Sequence, residues 1–411
     1  MIDANIEFKI PLQPLPVPTV HKIGPGITLL SPLSRRGYGP GTIVLVPDNA
    51  PSPLHLENGT PSPSLKWAEE SYTVIEIRES VLKREPALDL ALESLNGFEK
   101  CTPKSVVGLV AYGPTLWGKV RSLPSLTKIT AAAIYASASD PPSITTPIPT
   151  IQHLSGNPTT TTEIPAQRAP DTNTDRETKQ YTYPNAPSPL FALPTMSDFN
   201  YTTEAVSHTR NLSFFKKHMG GPYFDLEAIW DEHTYFEFVL RSVPHTMSTM
   251  VQEPYVNHIP TMTGGIGREN LTAFYREHFI FVNPPDAQME LVSRTVGIDR
   301  VVDESIMSMT HDREIDYLLP GIPATGAKLE IPFTAIVNIR GDRLYHEHLI
   351  WDQASVLRQV GILPEYLPFP ASSGGERSGD RGKVRLPVAG ADIAAKTRDK
   401  NAVASNELLG G

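Results

Sequence analysis

Residues 329–352 read LEIPFTAIVNIRGDRLYHEHLIWD. Two apolar, β-branched runs, Leu329–Arg340 and Arg343–Trp351, flank Gly341-Asp342, a pair suited to turning a hairpin. Two more strand candidates, Gln288–Val296 and Arg300–His311, come just before them. Ahead of these strands the apolar spacing becomes helical. Leu226, Ile229, Trp230, His233, Phe236 and Val239 mark one helix, and Pro244 starts a second that runs through Met250. A short strand begins at Pro254-Tyr255, Gly264-Gly265 reads as a turn, and Leu271–Phe279 forms a third helix. Helices followed by an antiparallel meander describe a segregated α+β domain.

Side chains alternate across a strand, so His346, His348, Ile350 and Asp352 share one face, while Tyr345, Glu347, Leu349 and Trp351 share the other. Periodicity alone leaves open which face points inward. If it is the first, two imidazoles flank a carboxylate whose pKa burial would raise, which is how a general base is tuned. If it is the second, the reacting face is Tyr345, Glu347 and Trp351. Tyr255 and Asn257 share parity on the short strand, and His258 points the other way unless a bulge intervenes. His233 follows Trp230 by one helical turn. Phe274, Phe279, Met247, Met250, Met262, Met307 and Met309 would supply an apolar wall for a hydrophobic ligand. The His346-x-His348 pair carries nitrogen donors of the kind zinc uses. His311, Asp312, Glu314 and Asp316 read as a solvated strand end.

Upstream, strand and helix patterns alternate. Strand signals fall at Thr42–Val46, Tyr72–Ile77, Ser105–Ala111 and Ile129–Ala136; helical ones fall at Leu65–Glu70 and Glu79–Leu95. That alternation predicts an α/β layer, and the continuous apolar runs predict strands buried on both faces. Residues 138–194 are rich in Pro, Ser and Thr and read as loop. A helix over Ser197–Met219 stops at Gly220-Gly221 after basic residues. Residues 1–40 show little periodicity.

With 411 residues, 40% of them hydrophobic, the chain has room for two or three domains. A net charge of −9 and the lack of a Lys/Arg cluster argue against a nucleic-acid partner. The single cysteine, Cys101, excludes an internal disulfide and a cysteine-based zinc site. No apolar window is long enough to span a bilayer, and the N-terminus lacks a secretory pattern, so a cytoplasmic protein is expected.

KWAEESYTVIEI (Lys66–Ile77), VVGLVAYG (Val106–Gly113) and YPNAPSPLF (Tyr183–Phe191) resemble pieces of the dienelactone hydrolase family, α/β-hydrolases with a Cys, Asp, His triad. The resemblance places the nucleophile position at Gly113, which has no side chain. It places the acid near Asn157-Pro158, where there is no carboxylate, and it finds no histidine in Tyr183–Phe191. Cys101 and His153 lie outside their motifs. A degenerate α/β-hydrolase-like domain over residues 1–219 is therefore implied.

YVNHIPTMTGGIGRENLTAFYREHFI (Tyr255–Ile280) and HEHLIWDQASVLRQVGIL (His346–Leu363) resemble the SnoaL-like branch of the nuclear transport factor 2 fold. This resemblance implies a cone over residues 220–370, a curved antiparallel sheet around helices, with a disordered tail over 371–411. It makes Asp352, after Trp351, the general acid/base, with His348 and His346 as proton partners. Tyr255, Asn257, His258, Trp230, His233 and Phe274 complete the expected pocket, with no metal and no cofactor. The implied activity is that of a cyclase or isomerase acting on a hydrophobic polyketide- or terpenoid-like intermediate of secondary metabolism. A pericyclase and a non-catalytic small-molecule binding module are the rivals, and a homodimer is compatible with the fold.

Overall fold

The apolar runs of the N-terminal half assemble into one sheet. Its strands are β1 (Val20–Gly24), β2 (Ile27–Leu30), β3 (Gly41–Val46), β4 (Thr73–Arg78), β5 (Val107–Ala111), β6 (Ala131–Ser137), β7 (Thr150–Ser155) and β8 (Thr178–Tyr183). The computed structural model describes residues 10–57, 59–83, 86–142, 146–157, 178–368 and 383–409. The chain divides into two units: Pro14–Asp225 with Arg340–Arg343, and a second built on Leu226–Ile339 and the chain from Leu344 onward.

The sheet of the first unit runs β1-β2-β4-β3-β5-β6-β7-β8. Its pairings are parallel from β4 across to β8, while β1–β2 and β2–β4 are antiparallel. All residues of β3, β5 and β7 are buried, as expected for strands covered on both faces. The helices are α1 (Pro63–Glu69), α2 (Ala87–Gly97), α3 (Pro114–Val120) and α4 (Tyr201–Met219). Asn200 caps α4 by accepting from the Thr203 amide, and Gly220, at φ 72°, ends it. Three readings change. Residues 1–40 contain β1 and β2. The Pro/Ser/Thr-rich stretch 138–194 contains β7 and β8, because TIQHLS is a short buried strand that surrounding turn residues mask; residues 158–177 of that stretch lie outside the described residues. The expected boundary at 219 moves to Asp225.

β5 ends at Ala111, and Gly113, at φ 146°, caps α3. A buried strand, a sharp turn and a helix thus surround Gly113. Cys101 is buried, and burial pushes its thiol pKa up. His153 is wholly buried between the Tyr183 hydroxyl (2.8 Å) and Asn211 Oδ1 (2.7 Å).

In the second unit, α5 (Leu226–Thr234) continues into a π turn, Tyr235–Val239, and is followed by α6 (Val243–Ser248). Then come β9 (Met250–His258), β10 (Thr263–Ile266) and α7 (Gly267–Phe274), which also runs into a π turn, Tyr275–Phe279. β11 (Gln288–Val296), β12 (Arg300–Thr310), β13 (Lys328–Arg340) and β14 (Arg343–Trp351) form the meander, and α8 (Gln353–Gln359) follows. The sheet order is β10-β9-β14-β13-β12-β11. It is not wholly antiparallel. β9 reaches β14 after a long crossover and pairs with it in parallel, Val256 opposite Glu347 and His258 opposite Leu349.

The tail expectation is also corrected. Residues 369–382 lie outside the described residues, but β15 (Tyr366–Pro368) pairs with β16 (Lys383–Arg385), and α9 (Asp392–Arg398) follows. Arg398 bridges Glu290 (2.7 Å) of β11 and Glu330 (2.9 Å) of β13, and Ala394 is buried, so contacts with the meander hold this segment. Among the described residues, no helix is long and apolar enough to cross a membrane.

Candidate functional site

Tyr345, Leu349 and Trp351 decide which way β14 faces. All three are buried, and Trp351 stacks on Phe333 of β13 at 5.0 Å. Ile350, on the other face, is 37% exposed. Burying two aromatics and a leucine outweighs burying one isoleucine, and the alternation then carries Glu347 inward with them. Glu347 is 3% exposed and lines a cavity of about 570 Å³. Val256 and His258 of β9, which face Glu347 and Leu349 in register, line the same wall. Phe333, Met307 and Phe279 make much of the rest apolar.

Asp352 lies past the end of β14, so strand parity no longer governs it. Its side chain is the N-cap of α8, accepting from the Ala354 amide (3.1 Å) and from the Ser355 hydroxyl (2.6 Å), and the residue is exposed. His346 and His348 occupy the opposite face of β14 from Glu347. Their rings stack at 4.6 Å, and His348 Nε2 lies 2.7 Å from the Tyr255 hydroxyl. The expected set Asp352, His348 and His346 is thus not gathered in the cavity. Tyr255 and Asn257 share the outward parity, and Phe274 packs on His258 without lining the cavity. Trp230 and His258 do line it.

His233 lies behind the wall, wholly buried, and joins the residues the sequence reading missed. The π turn after α5 brings Glu237 to the cavity, and the one after α7 brings Tyr275. His233 Nε2 is 3.1 Å from Glu237 Oε1 and 3.1 Å from Glu347 Oε1. Tyr275 donates to Glu347 Oε1 at 3.2 Å, and its oxygen is 3.4 Å from His233 Nε2. The sequence did carry one signal, since Glu237 follows His233 at the four-residue spacing that puts side chains on one helix face.

Proton accounting fixes the tautomer of His233. The Thr249 hydroxyl donates its one hydrogen to the Thr246 carbonyl (2.7 Å). It must therefore accept from His233 Nδ1, 2.6 Å away. Nε2 then confronts two carboxylate oxygens, and a bare lone pair there would be repelled; a cation belongs between them. Burial disfavours charge on His233, but Glu237 and Glu347 outweigh it and push its pKa up to about 10. Burial raises the Glu237 pKa, and the nearby Glu347 charge adds to the rise. Burial, reinforced by the two carboxylates, raises that of the Tyr275 phenol. His258 behaves oppositely. Burial pushes its pKa down to about 4, so it is neutral, and its buried Nδ1 has no hydrogen-bond partner among the described residues.

A second network holds the rim. Trp230 donates its indole N–H to Asp303 Oδ2 (2.8 Å), and Arg294 grips Asp303 with two bonds of 2.7 and 2.8 Å. Arg294 also reaches Glu227 (3.0 Å) and Asp231 (2.9 Å). The cavity lining thus carries the carboxylates of Glu227, Asp231, Glu237, Asp303 and Glu347 against one guanidinium.

Residues 233–347 match the model of the SnoaL-like domain family. No curated protein matches the chain. Among solved structures, a hypothetical protein with a ketosteroid isomerase-like fold from Catenulispora acidiphila, in complex with trimethylamine, is 14% identical, with a TM-score of 0.26 over 33% of this chain and 93% of its own. A putative SnoaL-like polyketide cyclase from Jannaschia is 16% identical, with a TM-score of 0.28 over 35% of this chain and 99% of its own. TsrD from Streptomyces laurentii is 18% identical, with a TM-score of 0.28 over 34% of this chain and 96% of its own.

Proposed function

We propose that the second unit is a cyclase or isomerase that moves a proton on a neutral, hydrophobic, carbonyl-bearing small molecule of the polyketide or terpenoid kind. One observation carries the reading: Glu237 and Glu347 are both buried and line the cavity, while one histidine nitrogen holds both at 3.1 Å. A carboxylate removed from water and fixed by neighbours is poised to take a proton from carbon next to a carbonyl. Glu347, also bonded to Tyr275, is the proposed base. Protonated His233 holds the counter-charge between Glu347 and Glu237, and His258 Nδ1 can accept a substrate hydroxyl or enol. The acidic lining disfavours an anionic substrate. The match to the SnoaL-like family supports the general class.

The test is exchange of α-protons into D2O, followed by NMR, for a panel of cyclic diketones and enones. Glu347→Gln should slow exchange or turnover by roughly 10²-fold or more, the usual scale for a general base. Asp352→Asn should leave the rate within about twofold, under roughly 0.5 kcal/mol in barrier. If Asp352→Asn is the crippling change and Glu347→Gln is silent, the reading is wrong.

For the first unit, we infer a hydrolase-type scaffold without its nucleophile. The strand–turn–helix around Gly113 supports this, as does the burial of Cys101. A serine- or cysteine-directed covalent probe should leave the unit unlabelled; labelling at Cys101 with accompanying ester hydrolysis would overturn the inference.

A further inference from the structure

We propose that His233, Glu237 and Glu347 form a binding site for a divalent transition-metal cation of the zinc, cobalt or manganese class, entered from the cavity. Three observations carry this. The first is spacing. Donors bound to such an ion at about 2.0–2.2 Å stand roughly 3.0–3.5 Å from one another. Here Glu237 Oε1 and Glu347 Oε1 each lie 3.1 Å from His233 Nε2. The Tyr275 oxygen, 3.4 Å from Nε2 and 3.2 Å from Glu347 Oε1, stands where a fourth ligand or a hydrogen-bond donor to a bound water would be.

The second is orientation. Thr249 accepts from Nδ1 and so leaves Nε2 as the nitrogen that faces the two carboxylates. A ligating histidine is usually held this way, with its far nitrogen donating to an oxygen that fixes the ring. The third is access. Glu237 and Glu347 line the cavity, and the half-exposed carboxylates of Glu227 and Asp231 stand along its lining. Five lining carboxylates against one arginine draw cations inward and repel anions. One histidine nitrogen with two carboxylates is a borderline-to-hard donor set, which suits zinc, cobalt or manganese better than a soft metal.

Metal entry breaks the Nε2–H bond, with the proton leaving to water, and forms bonds from Nε2 and the two carboxylate oxygens to the ion in place of their hydrogen bonds; no electron is transferred. The metal and that proton exclude one another. A filled site ties up the carboxylate assigned above as base, so the cation would inhibit proton transfer. Binding itself does not depend on the proposed reaction.

The experiment uses the full chain, stripped with a chelator and titrated with Co2+ while visible d–d absorption is followed. A band saturating at one equivalent is expected. Glu347→Gln and His233→Asn should each weaken binding at least about tenfold, whereas the His346→Ala/His348→Ala double variant should bind as the unaltered chain does. If His233→Asn does not fold by circular dichroism, the near-isosteric Glu237→Gln replaces it. No saturable band, or a band that survives Glu347→Gln and vanishes with the outer histidine pair, overturns the site. Because the readout is absorption, an empty metal site and a failed base assignment are told apart: the first removes the band, while the second leaves α-proton exchange unchanged by Glu347→Gln in metal-free buffer.

Discussion

Glu347 and Asp352 stand on one short segment and have opposite fates, and the cause is the company each keeps. Glu347 alternates with Tyr345, Leu349 and Trp351, so the burial of those three takes it out of water. Asp352 falls where the strand has ended, and its oxygens cap a helix instead. A separate Asp352→Ala variant, which removes the cap that Asp352→Asn would keep, therefore has a stability signature. It should cost about 1 kcal/mol, the usual value of an N-cap, read as a lower urea midpoint with turnover unchanged. Both alternating sets on β14 were legible in the sequence. The choice between them was not, because it depends on what the neighbouring strands offer: Phe333 stacks on Trp351, and Val256 pairs with Glu347. His233 stood out as a polar residue on an apolar helix face, and Glu237 is its neighbour one turn on, but Glu347 comes from β14 and Tyr275 from the π turn after α7, which no local pattern connects.

At the scale of elements, the site rests on two π turns and one close backbone approach. In the π turns the Leu240 amide bonds to the Tyr235 carbonyl (2.9 Å) and the Ile280 amide to the Tyr275 carbonyl (3.0 Å). The wider turn changes which side chains face the cavity, and such turns gather at functional sites. Apolar spacing marks the helices but carries no sign of the extra residue, so Glu237 and Tyr275 were not placed from sequence. The Gly264-Gly265 pair was legible as a chain reversal, yet it also belongs to β10. Gly264 has φ 136°, and a Cβ there would stand 2.0 Å from the Val256 carbonyl oxygen. Val256 is part of the cavity wall. Gly264→Ala should therefore destabilise the second unit by about 2–3 kcal/mol, combining backbone strain with a clash that must move β9. Chemical denaturation measures this, and a change below roughly 0.5 kcal/mol would mean that β10 yields freely and does not brace the wall.

For the molecule as a whole, the two-part organisation could be read from the switch between alternating β/α patterns and helices followed by a meander. The outer strands β1 and β2 were hidden because their residues mix with turn formers, and β7 because TIQHLS is short and mostly polar. That polar content makes the first unit sensitive to acid. His153 sits in β7 at 0% exposure, with Tyr183 and Asn211 on its two nitrogens and Tyr135 stacked at 4.8 Å. Burial holds its folded pKa down at about 3, below the ordinary 6.5. A histidine that stays neutral in the fold but takes a proton when unfolded favours the unfolded chain below pH 6.5. Its stabilising contribution is therefore complete above pH 6.5 and falls as the pH drops from 6.5 toward 3. The slope approaches about 1.4 kcal/mol per pH unit while only the unfolded chain is protonated. Urea unfolding of the full chain at a series of pH values should show one transition that weakens with this added slope. His153→Gln, which cannot titrate, should start from a lower stability at pH 7 and lose less of it on acidification, so the two curves converge toward acid. Parallel curves would mean that the ring takes up its proton within the fold, and that the Tyr183 and Asn211 contacts open without unfolding the unit.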